Sequence, residues 1–185
     1  GTIVGFQQAR GLSDGEAASA GLFADLGALT LGGIGGATGA FNTRRTVVTQ
    51  ETGNPAFPTF TYTVTDNSLT AAGKATIGAA IAAQSLGYVF GPRYARRAAY
   101  NVTAGDADMV LTSGVLGAVA AGAIAGEKAN TPAVWGASAA GLVAGAWLAD
   151  RGFVRKRDRT SAEGTLARLG ALAGALMGGG VAAVA

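Results

Sequence analysis

The sequence predicts an all-α fold of about five helices, arranged as repeated Gly/Ala-rich helical hairpins with a small β-hairpin insertion near 43–66. Three observations predict it. Long uncharged runs alternate with short charged joints, the same helix-start signature recurs three times, and small residues recur at every fourth position inside the runs. Residues four apart lie on one side of a helix, so each helix should carry a face with almost no side chain.

The composition narrows the class of protein further. At 185 residues the chain fits one helical domain, 1–185. Charged residues make up 14%, well below the roughly 25% of soluble domains. Glycine is interleaved with Leu, Val and Ala, which favours packed helices over a flexible linker. The sequence contains neither Cys nor His, so disulfides, thiolate ligands and imidazole chemistry are excluded.

The first predicted hairpin spans 12–101. Ser13 is followed three residues later by Glu16 and then by an apolar run, which is the capping-box signature of a helix start. We expect this helix to run to about Phe41. A second helix is expected over Ser68–Phe90, because Gly and Pro follow directly and stop a helix.

The insertion at 43–66 separates those two helices. Residues 43–51 and 59–66 are rich in Thr and Val, and apolar residues alternate with threonines in the second segment. A period of two with β-branched residues predicts two strands, and the Gly, Asn and Pro between them predict a turn. The edges of such a flap could pair with a partner's sheet.

The second predicted hairpin spans 102–159 and has the tightest link. Its first uncharged run is Met109–Gly126 and its second is Thr131–Ala149. Thr131 is the expected N-cap of the second helix, with Pro132 at the first helical position.

The terminal half-repeat, 160–185, begins with Thr160 and Glu163, a third start of the capping-box kind. Aligning the three starts makes Gly27, Gly117 and Gly174 coincide, and also Gly36 and Gly126. The chain therefore reads as two and a half hairpins. A sixth helix would come either from a continuation of the protein or from a neighbouring copy.

Glycine rows are the candidate helix-packing sites. They comprise Gly114, Gly122, Gly126, Gly141, Gly145, Gly170, Gly174 and Gly178. Each Gly costs about 1 kcal/mol relative to Ala in a water-exposed helix, and small side chains bury little apolar area. In a bilayer the backbone must be hydrogen-bonded internally whatever its propensity. The rows therefore favour membrane-embedded helices, with a soluble filament or shell subunit, buried by neighbouring copies, as the alternative.

Basic residues cluster at two joints. With five crossings, one side would hold Arg10, Arg93, Arg96, Arg97, Arg151, Arg155, Lys156, Arg157 and Arg159, and the other Arg44, Arg45 and Lys128. This asymmetry fits the positive-inside rule, although cations also favour helix C-termini. Candidate ligands of anionic lipid headgroups are Arg93, Arg96, Arg97, Arg155, Lys156 and Arg157. The alternative for them is a solvated loop.

Two charges lie well inside apolar runs, Asp25 and Arg168. One interpretation is an intramembrane ion pair or ion path between them. The other places each near the membrane interface, with its charge reaching water. Five other carboxylates lie at predicted helix starts, where capping explains them: Asp14, Glu16, Asp106, Asp108 and Glu163. The sequence offers no catalytic, cofactor-binding or metal-binding constellation, so neither an enzyme, a small-molecule substrate nor a nucleic-acid partner is expected.

The small-every-four pattern resembles that of glycine-zipper membrane proteins. The Thr-x-Gly-Asp start with basic joints is similar to uncharacterised bacterial envelope proteins. The resemblance implies close helix packing in a membrane and carries no residue role. The expected function is a non-enzymatic, membrane-embedded structural or accessory subunit of a cell-envelope assembly that self-associates or binds other subunits. The alternatives are a transport or pore component, or the soluble filament or shell subunit.

Overall fold

Five α-helices form the fold in the computed structural model, which describes residues 11–42, 44–50, 60–66, 68–126 and 130–182. The helices are α1 (Asp14–Ala37), α2 (Ala71–Arg97), α3 (Ala104–Gly126), α4 (Thr131–Gly152) and α5 (Ser161–Ala182), with a 3-10 turn at Val154–Lys156. The predicted all-helical class and the number of helices are confirmed for these residues.

Two short strands lie between α1 and α2 along the chain. β1 (Arg44–Gln50) and β2 (Phe60–Asp66) pair antiparallel, with Arg44 opposite Asp66. Residues 43, 51–59 and 67 lie outside the described residues, so a single β-hairpin insertion over 43–66 stays a prediction.

Three helices begin with the same reciprocal pair of hydrogen bonds. At α1, the Glu16 amide donates to the Ser13 hydroxyl (3.3 Å) and the Ser13 amide donates to the Glu16 carboxylate (2.8 Å). The matching pairs are Thr103 with Asp106 at α3 and Thr160 with Glu163 at α5. Each box satisfies amides that lack an intrahelical acceptor. The capping boxes are therefore confirmed.

Helix α2 continues past the predicted stop at Phe90. Gly91 and Pro92 lie inside it, both buried, and the helix ends only at Arg97. An internal proline removes one backbone hydrogen bond. Here that loss is outweighed by packing, because Gly91 brings α2 against the backbone of Ala20 in α1. The expected boundary was wrong.

Two other boundaries also differ from expectation. The N-cap of α4 is Asn130, whose side-chain oxygen accepts the amide of Ala133 at 3.1 Å, whereas Thr131 is already helical. Asparagine is among the strongest N-caps. Helix α1 ends at Ala37, four residues before Phe41, and Gly39 then turns the chain with a φ of +71°.

The helices alternate in direction, so the bundle has two distinct ends. The starts of α1, α3 and α5 lie at one end of the bundle together with the ends of α2 and α4, and we call this the charged end. Glu16 pairs there with Arg96, and the Thr103 hydroxyl donates to the carbonyl of Arg159. At the far end, the Thr70 hydroxyl donates to the carbonyl of Ala40. Helix α1 packs on α2, α3 and α4, and α3 packs on α4 and α5.

Candidate functional site

The α3–α4 interface is built from glycine against backbone. A β-carbon added to Gly117 would overlap the carbonyl oxygen of Gly141, and one added to Gly141 would overlap that of Gly117. Gly145 lies in the same way against the carbonyl of Ser113. Only glycine permits backbones to come this close. Gly117 was absent from the predicted rows, although the alignment of helix starts pointed to it.

The other predicted glycines of this hairpin divide into packed and open. A β-carbon on Gly114 would lie 3.1 Å from the carbonyl oxygen of Leu142, and one on Gly122 would overlap the Ser138 hydroxyl. Among the described residues, none comes within 4 Å of that position on Gly126.

Helix α1 uses glycine on two faces. Toward α2, a β-carbon added to Gly27 would lie 3.2 Å from the β-carbon of Ala83. Gly87 of α2 lies against the backbone of Ala24. Toward α4, Gly33 approaches Ala139 and Gly36 lies against the ring of Trp135. Helix α1 therefore packs through glycine against α2 on one face and against α4 on another.

The glycines of α5 lie open. No atom of the described residues lies within 4 Å of a would-be β-carbon on Gly170 or Gly174. The side-chain surroundings of Gly178 are outside the described part of the chain. The expectation that Gly170 and Gly174 pack against another helix finds no partner among the described residues of the chain. In the repeat register, Gly27 and Gly117 are packed where Gly174 is open, and Gly36 is packed where Gly126 is open.

An apolar cleft of about 270 Å³ lies between α3 and α5. Its lining includes Thr112, Leu116, Val119 and Leu172. Thr112, Leu116 and Val119 match positions 22, 26 and 29 of α1 in the repeat register. Leu22 packs in the cluster that contains Ala146 and Ala149 of α4, whereas Leu29 is 50% exposed. Helix α4 therefore covers only part of the matching face of α1.

At the charged end, the carboxylate of Asp150 links the end of α4 to the end of α2. It accepts hydrogen bonds from the Tyr94 hydroxyl (2.5 Å) and the Tyr100 hydroxyl (2.8 Å), and Arg155 donates to it at 2.7 Å. Burial, and then the hydrogen bond to Asp150, raises the pKa of the Tyr94 phenol to about 12. Burial also raises the pKa of Tyr100, with the Tyr94 hydroxyl next in effect. Local sequence patterns do not predict this network, because Asp150 lies 56 residues from Tyr94 and 50 residues from Tyr100.

A second carboxylate, Asp106, is 1% exposed. Besides capping α3, it accepts the backbone amide of Arg159 at 3.1 Å. This bond ties the joint before α5 to the start of α3. Gly105 lies beside it, against the carbonyl of Thr160.

The candidate headgroup residues fall into two groups. Arg96 pairs with Glu16 at 2.5 Å, Arg155 with Asp150, and Arg157 with Glu163. Among the residues that the structure describes, no carboxylate pairs with Arg93, Arg97 or Lys156.

Asp25 and Arg168 line one cleft of about 520 Å³ between α1, α3 and α5. Asp14, Asp108 and Ser161 lie in its wall as well. The ion pair of Arg168 is with Asp108, and Asp25 is exposed. Of the two interpretations, the direct Asp25–Arg168 ion pair is wrong, because Arg168 pairs with Asp108; the two residues share only the cleft.

Three helical segments are long and apolar enough to cross a membrane: Asp14–Ala37, Ala104–Gly126 and Thr131–Lys156. Within the described ranges, no group of three or more Asp or Glu side chains has the geometry to hold a metal ion. No protein-family model, no curated protein and no solved structure matches the chain.

Proposed function

We propose that the chain is a non-enzymatic, membrane-embedded structural or accessory subunit of a cell-envelope assembly, held together by small-xxx-small helix faces. The distribution of side-chain size carries this proposal. The buried hydrophobic residues are mostly alanines, and the largest fully buried side chains are Val154, Asp106 and Ser19. Large apolar residues lie outside instead, with Ile124 at 78% and Leu166 at 67% exposure. A soluble domain has the opposite arrangement.

Helix length supports the same proposal. Helix α1 has 24 residues and α3 has 23, which correspond to about 36 Å and about 35 Å of rise. The hydrocarbon core of a bilayer is about 30 Å thick. Lipid would cover the outward leucines, and the glycine contacts would supply the dispersion energy that holds helices together where water is absent.

Charge supports one orientation. The charged end carries both basic joints, which contain Arg93, Arg96, Arg97, Arg151, Arg155, Lys156, Arg157 and Arg159. The far end adjoins the described strands, which contribute Arg44 and Arg45. The positive-inside rule therefore assigns the charged end to the cytoplasmic side.

The apolar cleft between α3 and α5 indicates how the subunit would assemble. Its lining includes Leu116, Val119 and Leu172 together with the small Ala171. A helix supplied by a second subunit would cover these apolar side chains, and Ala171 would let that helix come close.

Crosslinking of the reconstituted protein tests this assembly. Ala171→Trp and Val119→Trp should abolish crosslinked oligomers, since the larger side chain would fill the groove between α3 and α5. Ala79→Trp is the matched control, because Ala79 is exposed but lies on α2. Oligomers that persist in both groove variants would refute the assembly, and quantitative extraction of the protein into detergent-free buffer would refute membrane embedding in favour of a soluble filament.

One observation favours a transport or pore component as a second candidate. The cleft that holds Asp25 also holds Arg168 and two further carboxylates, so charged groups from three helices meet near the charged end. In a membrane such a cluster is typical of an ion path. Ion flux through liposomes should then fall with Asp25→Asn and with Arg168→Gln. Absence of flux in the unmodified protein would exclude this candidate.

A further inference from the structure

A cleft of about 510 Å³ opens on the outer face of α1 and α2, near the charged end. Its lining is Phe23 of α1 with Phe90, Arg93, Tyr94 and Arg97 of α2. The four α2 residues are spaced three or four apart and so share one helix face. The lining thus combines three aromatic rings with two guanidinium groups. The cleft is amphipathic in composition.

The two arginines differ from their neighbours in charge balance. Arg96 and Arg155 each pair with a carboxylate, whereas Arg93 and Arg97 have none among the described residues. Like charges four residues apart on a helix repel each other. The negative end of the α2 dipole offsets this repulsion only in part. An anion between the two guanidinium groups would remove it.

The apolar floor of this cleft is ordered. The rings of Phe23 and Tyr94 lie 5.2 Å apart at an angle of 49°. The Tyr94 hydroxyl is turned to Asp150 and is therefore not available to a ligand in the cleft. What remains for a ligand is apolar contact with the aromatic rings and ionic contact with the two guanidinium groups. A free anion would use only the guanidinium groups.

We infer that this cleft binds an anionic glycerophospholipid, with its phosphate between Arg93 and Arg97 and an acyl chain along Phe90 and Phe23. The inference rests on the proposed membrane location. Guanidinium groups bind phosphate oxygens through paired N–H donors, which makes arginine suited to this role. The aromatic side chains lie at the depth where headgroup and hydrocarbon meet.

Lipid retention in nanodiscs tests the site. The protein is reconstituted in phosphatidylcholine with a minority of phosphatidylglycerol, extracted, and analysed by native mass spectrometry. The unmodified chain should retain phosphatidylglycerol selectively. Arg93→Gln/Arg97→Gln should retain roughly 25-fold less, since each cation near a headgroup contributes about fivefold. Arg151→Gln/Lys74→Gln is the matched control, because it removes the same charge outside the cleft, from two cations for which the described residues provide no carboxylate partner.

The outcomes separate this site from the wider proposal. Equal loss in both double variants would mean a general surface charge effect and would overturn the site. Displacement of the lipid by inorganic phosphate, or unchanged retention in Phe90→Ser, would overturn the lipid in favour of a free anion. A chain that never enters the nanodisc would instead refute the membrane location on which the site rests.

Discussion

Gly117 and Gly141 face each other across the α3–α4 interface, and a β-carbon on either would overlap the carbonyl oxygen of the other. The contact is therefore between two backbones, without an intervening side chain. Such an interface gains little from buried apolar area. It depends instead on many close dispersion contacts, which are lost when the helices separate by a fraction of an ångström.

Substitution of Gly141 by alanine tests this contact. In an exposed helix the change would stabilise by about 1 kcal/mol. Here the methyl group would meet the Gly117 carbonyl and the Ala121 side chain, so the helices must move apart. We expect a net destabilisation of about 1–3 kcal/mol, measured by reversible unfolding in mixed micelles.

Gly170→Ala is the control for that measurement. Gly170 is also inside a helix, but nothing lies within 4 Å of its would-be β-carbon. Its substitution should leave stability unchanged or raise it. If the two variants lost the same stability, backbone contact at Gly141 would not be what holds the hairpin.

The buried carboxylate of Asp106 supports the joint between the second hairpin and α5. Asp106→Ala would leave the amides of Thr103 and Arg159 without their acceptor. We expect a loss of about 1–3 kcal/mol and faster proteolysis at the 153–160 joint. Asp25→Ala, at an exposed carboxylate, should change neither quantity. Cleavage rates that stay equal for both variants would contradict this role for Asp106.

Local signals in the sequence predicted the helix starts. The signature at Ser13 and Glu16, repeated at Thr103 and Thr160, is complete within four residues and needs no distant partner. The prediction that the second helix ends at Phe90 was wrong for the converse reason. Whether a helix stops at Gly91-Pro92 depends on packing against Ala20, which lies far away in sequence. Local propensity gives way to such tertiary contacts.

The glycine rows show where a spacing rule loses precision. A step of four residues turns a helix by about 40° more than one revolution. Gly114 and Gly122 therefore still face α4, whereas Gly126 lies on a different side of the helix, with no described neighbour within 4 Å of a would-be β-carbon. Gly117, three residues from Gly114, is turned the other way by about 60° and meets Gly141. Which glycine faces a partner is fixed by the axis of the hairpin, and the sequence did not give that axis.

The partner of Arg168 could not be identified from sequence either. It pairs with Asp108, which is 60 residues away. Asp25 is the other charge inside an apolar run, and one of the two interpretations of the sequence paired it with Arg168. Helix α5 contacts α3 closely where Gly164 lies against Gly105, and this contact places Arg168 beside Asp108. Pairing across helices therefore followed the glycine contacts rather than the isolation of the charges.

The hydroxyl of Tyr94 should titrate late. Its pKa is raised to about 12 by burial and by Asp150, against about 10 in an unfolded chain. The folded state thus keeps this proton longer. Its contribution to stability is complete below about pH 10 and is lost as the pH rises toward 12. The difference in phenolate absorbance between the unmodified chain and Tyr94→Phe should appear near pH 12 in the folded protein.

The unfolded chain supplies the control for that titration. In denaturant the same difference should appear near pH 10, the value of a free phenol. A folded-state difference that also develops near pH 10 would show that Tyr94 is not held by Asp150. The hydrogen-bond network at the charged end would then have to be rejected.

The sequence contains no cysteine, so a single introduced thiol can report which side of the membrane each end of the bundle faces. Lys156→Cys places one thiol at the charged end, and Ser68→Cys places one at the far end, close to Ala40 through the neighbouring Thr70. With the basic joints inside, a membrane-impermeant maleimide should label only the Ser68→Cys protein in intact cells. The Lys156→Cys protein should react only after permeabilisation. The reverse pattern would mean that the joint cations serve the helix dipoles alone, and labelling of both in intact cells would argue against a spanning bundle.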